Sequence, residues 1–233
     1  EARYCKNSQT KPKMPTRNRQ ETEPAIQLKP PLARRRKKLN REEKAQLTFQ
    51  NLMEAAARVV GEEGYASTSI AKVTQEAGVA HGTFYNYFED RQQLFDVLLP
   101  YVGRQMTDRI TDKLADAGTG LEREVARFRA YCDYLRENPG FYRILYEAEV
   151  FAPKAHAEHI ERLTEGYMRA LKRSMAAGDI DKMGDDELRT MAAILLGARA
   201  YVAMQFKTDA NVPEASVRAY IKLITDGLFS TPK

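Results

Sequence analysis

Between Ala80 and Phe88 the chain reads AHGTFYNYF, a run dense in groups that could recognise another molecule. Phe84 and Phe88 stand four apart, a spacing that turns both rings to one side of a helix and into a core. His81, Thr83, Tyr85 and Asn86 then face outward, with Tyr87 near the edge. That face offers an imidazole, hydroxyls and an amide, and it carries no carboxylate. At the start of a short helix, where free backbone N–H groups also point outward, such a surface suits a polyanion.

The elements that must position this run lie just before it. Ser67, Thr68 and Ser69 supply hydroxyls able to cap a helix start, and Ile70, Val73 and Ala77 recur at i, i+3 and i+7 to mark one buried face. Gly78 is expected in the left-handed conformation that ends this helix, with Val79 as an apolar plug and a second short helix from Ala80. Helices joined by so tight a turn cross steeply, which is the helix-turn-helix arrangement for entering a DNA major groove. Upstream, Asn40 and Glu43 have the spacing of a capping box, and Leu52, Met53, Ala56, Val59 and Val60 form a helical stripe that Gly61 and Gly64 should end.

Gly78-Val79-Ala80-His81-Gly82-Thr83-Phe84-Tyr85-Asn86-Tyr87-Phe88, followed by Arg91 and Leu94, resembles the DNA-binding signature of the TetR family of bacterial transcriptional regulators. The resemblance covers residues 45 to 98 in detail and the remainder only in its helical layout. It implies a recognition helix from Ala80 to Phe88, with Ala80 where the family most often has serine, a cap worth about 1 kcal/mol. It also implies base contacts from His81, close approach to the DNA backbone at Gly82, a thymine-methyl or phosphate contact from Thr83, and further contacts from Tyr85 and Asn86. Tyr87 takes the family's aromatic position, and Arg91 stands in for the usual lysine with a phosphate contact. Thr68, at the start of the preceding helix, completes the expected set.

Charge is distributed unevenly along the 233 residues, whose formal net charge is +5. Residues 1 to 44 carry 14 basic and 5 acidic side chains, whereas residues 45 to 98 carry 3 and 7 and residues 99 to 233 carry 20 of each. The DNA-reading unit is therefore itself acidic. Attraction to phosphate is expected from the arm ahead of it, where Arg34, Arg35, Arg36, Lys37 and Lys38 form an unbroken cationic run that tracks phosphates or enters a minor groove, or else is a solvated tail. Residues 1 to 33, with five prolines and few large apolar residues, read as a disordered tail, native, processed or added, since the chain opens on Glu1 and Met14 is an internal candidate start.

Beyond Asp90 the pattern is helical throughout, giving an all-α expectation with an arm (1–38), a helix-turn-helix domain (39–90) and a larger helical domain (91–233). Pro100 should kink or interrupt the helix opened by Leu94, Phe95, Leu98 and Leu99. The middle helices bring Phe128, Tyr131, Phe141, Tyr142, Tyr146, Tyr167 and Met168 as candidates to line a pocket for a small apolar or aromatic effector. The last two helices, Leu188 to Phe206 and Val217 to Phe229, are apolar over a wide arc and should be buried on two sides, one of them against a second copy in a two-fold dimer. Arg199 lies within the first of them, facing either an anionic ligand or a carboxylate across that interface.

Other chemistries find little footing. Cys5 and Cys132 provide neither a disulfide framework nor a cysteine zinc site, and they suit a reducing, cytoplasmic setting. No apolar run reaches membrane-spanning length, and the first residues lack the apolar core of a secretion signal. His156 and His159 stand three apart, near Glu147 and Glu149, but read as exposed histidines on a charged helix face rather than as metal ligands. There is no glycine-rich phosphate loop or nucleophile elbow, so no catalytic residue and no cofactor is expected. The residues and the resemblance together imply a dimeric, ligand-responsive regulator, a repressor on a palindromic double-stranded DNA operator, released by its effector. An architectural DNA-binding protein without effector is the alternative, and an enzyme with a DNA-binding regulatory unit is a weaker one.

Overall fold

The computed structural model describes residues 40–206 and 212–227, within which there are nine helices and no strand. The cationic run at 34–38 lies outside the described residues, as do Leu228 and Phe229. The first helix, α1 (Arg41–Glu63), opens on the expected capping box. Asn40 Oδ1 accepts from the Glu43 N–H at 2.7 Å, and Glu43 Oε2 accepts from the Asn40 N–H at 2.8 Å. Gly64 closes the helix at a φ of +85°, a conformation that favours glycine. Gly61 does not end it. A Cβ there would stand 2.8 Å from the Cα of Gly140, so this glycine serves a close approach of two backbones instead.

Ser69 caps α2 (Ile70–Glu76), its side chain accepting from the Lys72 N–H, and Gly78 turns the chain at a φ of +67°. The second helix of the motif, α3 (His81–Phe84), is shorter than expected, because from Tyr85 to Tyr87 the chain continues in a turn. Ala80 gives it no side-chain cap. Asp90 then caps α4 (Arg91–Lys113) by accepting from the Gln93 N–H at 2.8 Å. Pro100 does not interrupt α4. Leu98, Leu99 and Val102 are buried on both sides of it, and this packing keeps the helix whole where the missing N–H alone would break it.

Five helices follow: α5 (Gly120–Glu137), α6 (Gly140–Phe151), α7 (Pro153–Ala177), α8 (Asp185–Gln205) and α9 (Glu214–Thr225). One buried apolar cluster runs from Leu52, Val73 and Phe84 in the N-terminal unit, along Leu94, Leu98 and Met106 of α4, to Phe128 and Ile144 in the larger part. The N-terminal unit is also gripped by α6. The Arg143 guanidinium donates to the Glu62 carbonyl, Glu147 Oε2 accepts from the Tyr65 N–H at 2.8 Å, and the Tyr65 ring stacks on Phe151 at 5.7 Å.

Candidate DNA-binding and effector sites

The α2–turn–α3 unit is fixed from below and open above. Val73 and Phe84 are fully buried, and the Phe84 and Phe88 rings lie 5.2 Å apart. With these anchors inside, Ala80, His81, Gly82, Tyr85 and Asn86 are exposed and Thr83 is half-buried. Tyr85 remains 54% exposed although its ring is large and partly apolar, an arrangement that leaves it available to a partner.

Three residues of the expected set hold the unit together. Thr68 is 1% exposed and its hydroxyl donates to the Gly64 carbonyl at 2.8 Å. The Tyr87 hydroxyl donates to the Ala45 carbonyl at 3.1 Å, tying the turn after α3 to α1. Arg91 Nη1 donates to the Thr68 carbonyl at 2.9 Å, and its guanidinium lies over the Phe95 ring at 5.4 Å. Arg91 is nevertheless exposed and keeps further N–H donors.

The seven aromatic and thioether candidates of the larger part separate into distinct places. Phe141 packs edge-on against Tyr134 at 5.4 Å, and Tyr142 and Tyr146 pair at 4.2 Å on a more open face. Phe128 is fully buried and stacks on Tyr220 at 4.5 Å, Met168 is half-buried, and Tyr131 and Tyr167 lie under Arg199. None of the seven lines the large cavity of about 920 Å³, which is bordered by α5, α7, α8 and α9 and opens to solvent. Leu121, Leu171, Met191, Leu195 and Leu223 give that cavity its apolar wall, with Glu124 and Arg127 on one side.

Glu124 is the centre of a polar cluster that the sequence reading missed. Its Oε1 accepts from the hydroxyls of Tyr167 and Tyr220, the latter at 2.6 Å, and its Oε2 pairs with Arg127. Burial raises both phenols, the Glu124 charge adds to this for Tyr167, and Tyr167 and Glu124 do so for Tyr220, so both remain protonated donors. A signal was present in the spacing. Glu124 precedes Phe128 by four and Tyr131 by seven, which places its carboxylate on the buried stripe of α5.

The two histidines of α7 differ from expectation. His159 is fully buried against Gly103 of α4, where a Cβ would meet the imidazole at 2.3 Å. Arg162 Nη2 lies 3.4 Å from His159 Nδ1, and since arginine only donates, the imidazole proton sits on Nε2, which has no partner. Burial, and then the charges of Arg162 and His156, lower its pKa to about 4. No group of three or more histidine, cysteine, aspartate or glutamate side chains able to hold a metal occurs among the described residues. None of the described helices is long and apolar enough to cross a membrane.

The exposed motif over a buried aromatic pair, and a helical body that grips it through α4 and α6, define a helix-turn-helix regulator fold. Residues 52–98 match the model for bacterial regulatory proteins of the tetR family, and residues 125–224 match the tetracyclin repressor-like C-terminal domain. The chain belongs to the TetR family of bacterial transcriptional regulators. It is 28% identical over 75 residues to the fatty acid metabolism regulator protein of Bacillus subtilis (strain 168), a match spanning 32% of this chain and 39% of that relative. Its fold is like that of the transcriptional regulator FadR from Bacillus subtilis in complex with stearoyl-CoA, with a TM-score of 0.65 at 17% identity over 78% of this chain and 100% of that one. It is also like AibR in complex with isovaleryl coenzyme A and operator DNA, with a TM-score of 0.59 at 17% identity over 76% of this chain and 97% of that one. At such identities the likeness is one of fold.

Proposed function

We infer that this protein is a ligand-responsive, sequence-specific transcriptional regulator of the cytoplasm, and that it represses by binding a palindromic operator as a homodimer. The observation that carries the reading is the exposed, carboxylate-free face of His81, Tyr85 and Asn86, backed by the buried Phe84 and Phe88. Base edges are read by side chains of this kind once the backbone is docked. Thr68, Tyr87 and Arg91 position this face through their bonds to Gly64, Ala45 and Thr68, and the cations at 34–38 supply the phosphate attraction that the acidic unit itself lacks.

The dimer forms through α8 and α9. Leu188, Ala192 and Ala203 of α8 turn into the subunit, while on the other side Tyr201 is 67% exposed and Ile194, at the rim of the cavity, is 54% exposed. An apolar residue pair one side of a helix turn away from its own core is the feature a second copy would cover. A small apolar or aromatic effector enters the larger part and shifts the spacing of the two reading units by its differential affinity for the two states. The acyl-CoA ligands of FadR and AibR support an effector with an acyl chain.

The test is selection from random DNA duplexes by the purified protein, with and without residues 1 to 38. A palindrome enriched by both forms is expected. If no motif emerges and loss of the arm abolishes binding, the regulator reading fails in favour of an architectural one with steep salt dependence.

A further inference from the structure

The cavity bordered by α5, α7, α8 and α9 is an apolar space that opens to water. Leu121, Ile194 and Leu223 belong to its wall and are 43%, 54% and 46% exposed. Three large apolar side chains from three helices thus stand around one opening, whereas single exposed ones call for no explanation. Better covered, Met191, Leu195 and Ala198 recur at i, i+4 and i+7 and turn one half-buried stripe of α8 to the same space. Its volume of about 920 Å³ is that of a small-molecule site.

The charge on the wall narrows the kind of molecule. Its ionic side chains are Arg123, Glu124, Arg127, Arg173 and Asp179. Glu124 is committed to Arg127 and to the Tyr167 and Tyr220 hydroxyls, so that pair is already balanced. Arg123 of α5 and Arg173 of α7 form no ion pair among the described residues, and neither does Asp179, whose carboxylate lies against Gly120. Two cations against one anion leave one positive charge in excess. Arg123 is half-buried and donates through Nη1 to the Ala117 carbonyl at 3.2 Å, which fixes the guanidinium and leaves further donors open. Arg173 is exposed, and so stands on the solvent side of the cavity. An apolar space with a cationic rim is complementary to an apolar body with an anionic head. A second copy seated on the opening about a two-fold axis would set the same excess charge against itself, so the better occupant is a ligand.

We propose that this cavity binds an amphipathic anion, with its apolar body along the Met191–Leu195–Ala198 stripe and its charged head between Arg123 and Arg173 at the opening. This rests on the effector reading above and gives the effector a place and a polarity. A carboxylate and the phosphates of a CoA thioester share the chemistry such a head requires. Because the opening leads to water, a head of either size has room to project.

The experiment is calorimetric titration of the full chain with saturated carboxylates of six to sixteen carbons, each against its matched alcohol, its trimethylammonium counterpart and its CoA thioester. At least one of the two anions should bind at least tenfold tighter than the alcohol and the cation of the same chain length. Whether carboxylate or thioester binds tighter names the head, and either result upholds the proposal. Arg123→Gln combined with Arg173→Gln should remove the preference while binding the alcohol unchanged. Alcohol or cation bound as tightly as both anions by the unaltered chain overturns the proposal without any variant having to fold. An anion preference that survives in the double variant overturns it too, since the head then lies elsewhere. If nothing in the series binds and Leu223→Asp weakens self-association tenfold in sedimentation, a second copy covers the opening and the proposal fails. The effector reading fails separately, when an anion bound with the expected preference leaves the selected operator in place. Release of the operator by the alcohols alone spares that reading and sinks the proposal.

Discussion

The face above α3 and the cluster beneath α8 obey opposite rules. At the first, polar groups stand in solvent over buried rings, so each can be changed without disturbing what supports it. In the second, charged and phenolic groups are buried among helices and satisfy one another, with Arg199 left over. A site of the first kind separates stability from recognition. Groups of the second kind are part of the core, so a change to one of them is felt first in stability.

The sharpest way to break this contrast is to remove a support of the reading face. Phe84→Ala deletes a fully buried ring, and a loss of about 3–5 kcal/mol in unfolding free energy by denaturant titration is expected, together with operator binding. An operator complex of full affinity in that variant would show that the face does not depend on its anchor.

A second test uses acid. His159 is neutral in the fold with a pKa of about 4 against 6.5 for the free side chain, so the unfolded chain binds the proton first. Its contribution is complete above pH 6.5 and is lost as pH falls toward 4, about 3 kcal/mol in total. Unfolding of the protein and of His159→Leu between pH 7.5 and 4 should give a visibly shallower slope for the variant. Parallel slopes would mean that the imidazole charges inside the body without penalty.

The smallest effect on stability belongs to the reading face itself. Tyr85→Ala and Asn86→Ala should each change unfolding free energy by no more than about 0.5 kcal/mol. Each should weaken the selected operator by about 1–3 kcal/mol, roughly fivefold to 150-fold, in fluorescence anisotropy. Equal losses in stability and affinity would erase the distinction between the two regions.

The same distinction governs what the amino-acid sequence discloses. Asn40 with Glu43, Ser69, Gly78 and the Phe84–Phe88 pair act within a few residues of one another, and each is legible from spacing alone. Gly61 is misread as a terminator because its true neighbour, Gly140, is remote in the chain. His159 is misread as exposed for the same reason, since nothing near it in sequence announces Gly103. Pro100 is read by its local cost, and the packing of Leu98, Leu99 and Val102 outweighs that cost. The effector candidates chosen by aromatic content are divided between core and surface, while the apolar wall of the cavity is chiefly leucine, isoleucine and methionine from four helices and the loop between α7 and α8. Only the meeting of those helices makes the cavity a place, and no short stretch encodes it.

The contact of Gly61 with Gly140 has a mechanical consequence. Two backbones that touch without intervening side chains form a joint with no play, whereas interdigitated side chains can give by changing rotamer. A displacement of α6 at this point therefore bears directly on the backbone of α1. A methyl group at either position would act as a shim, holding the joint ajar before any ligand arrives.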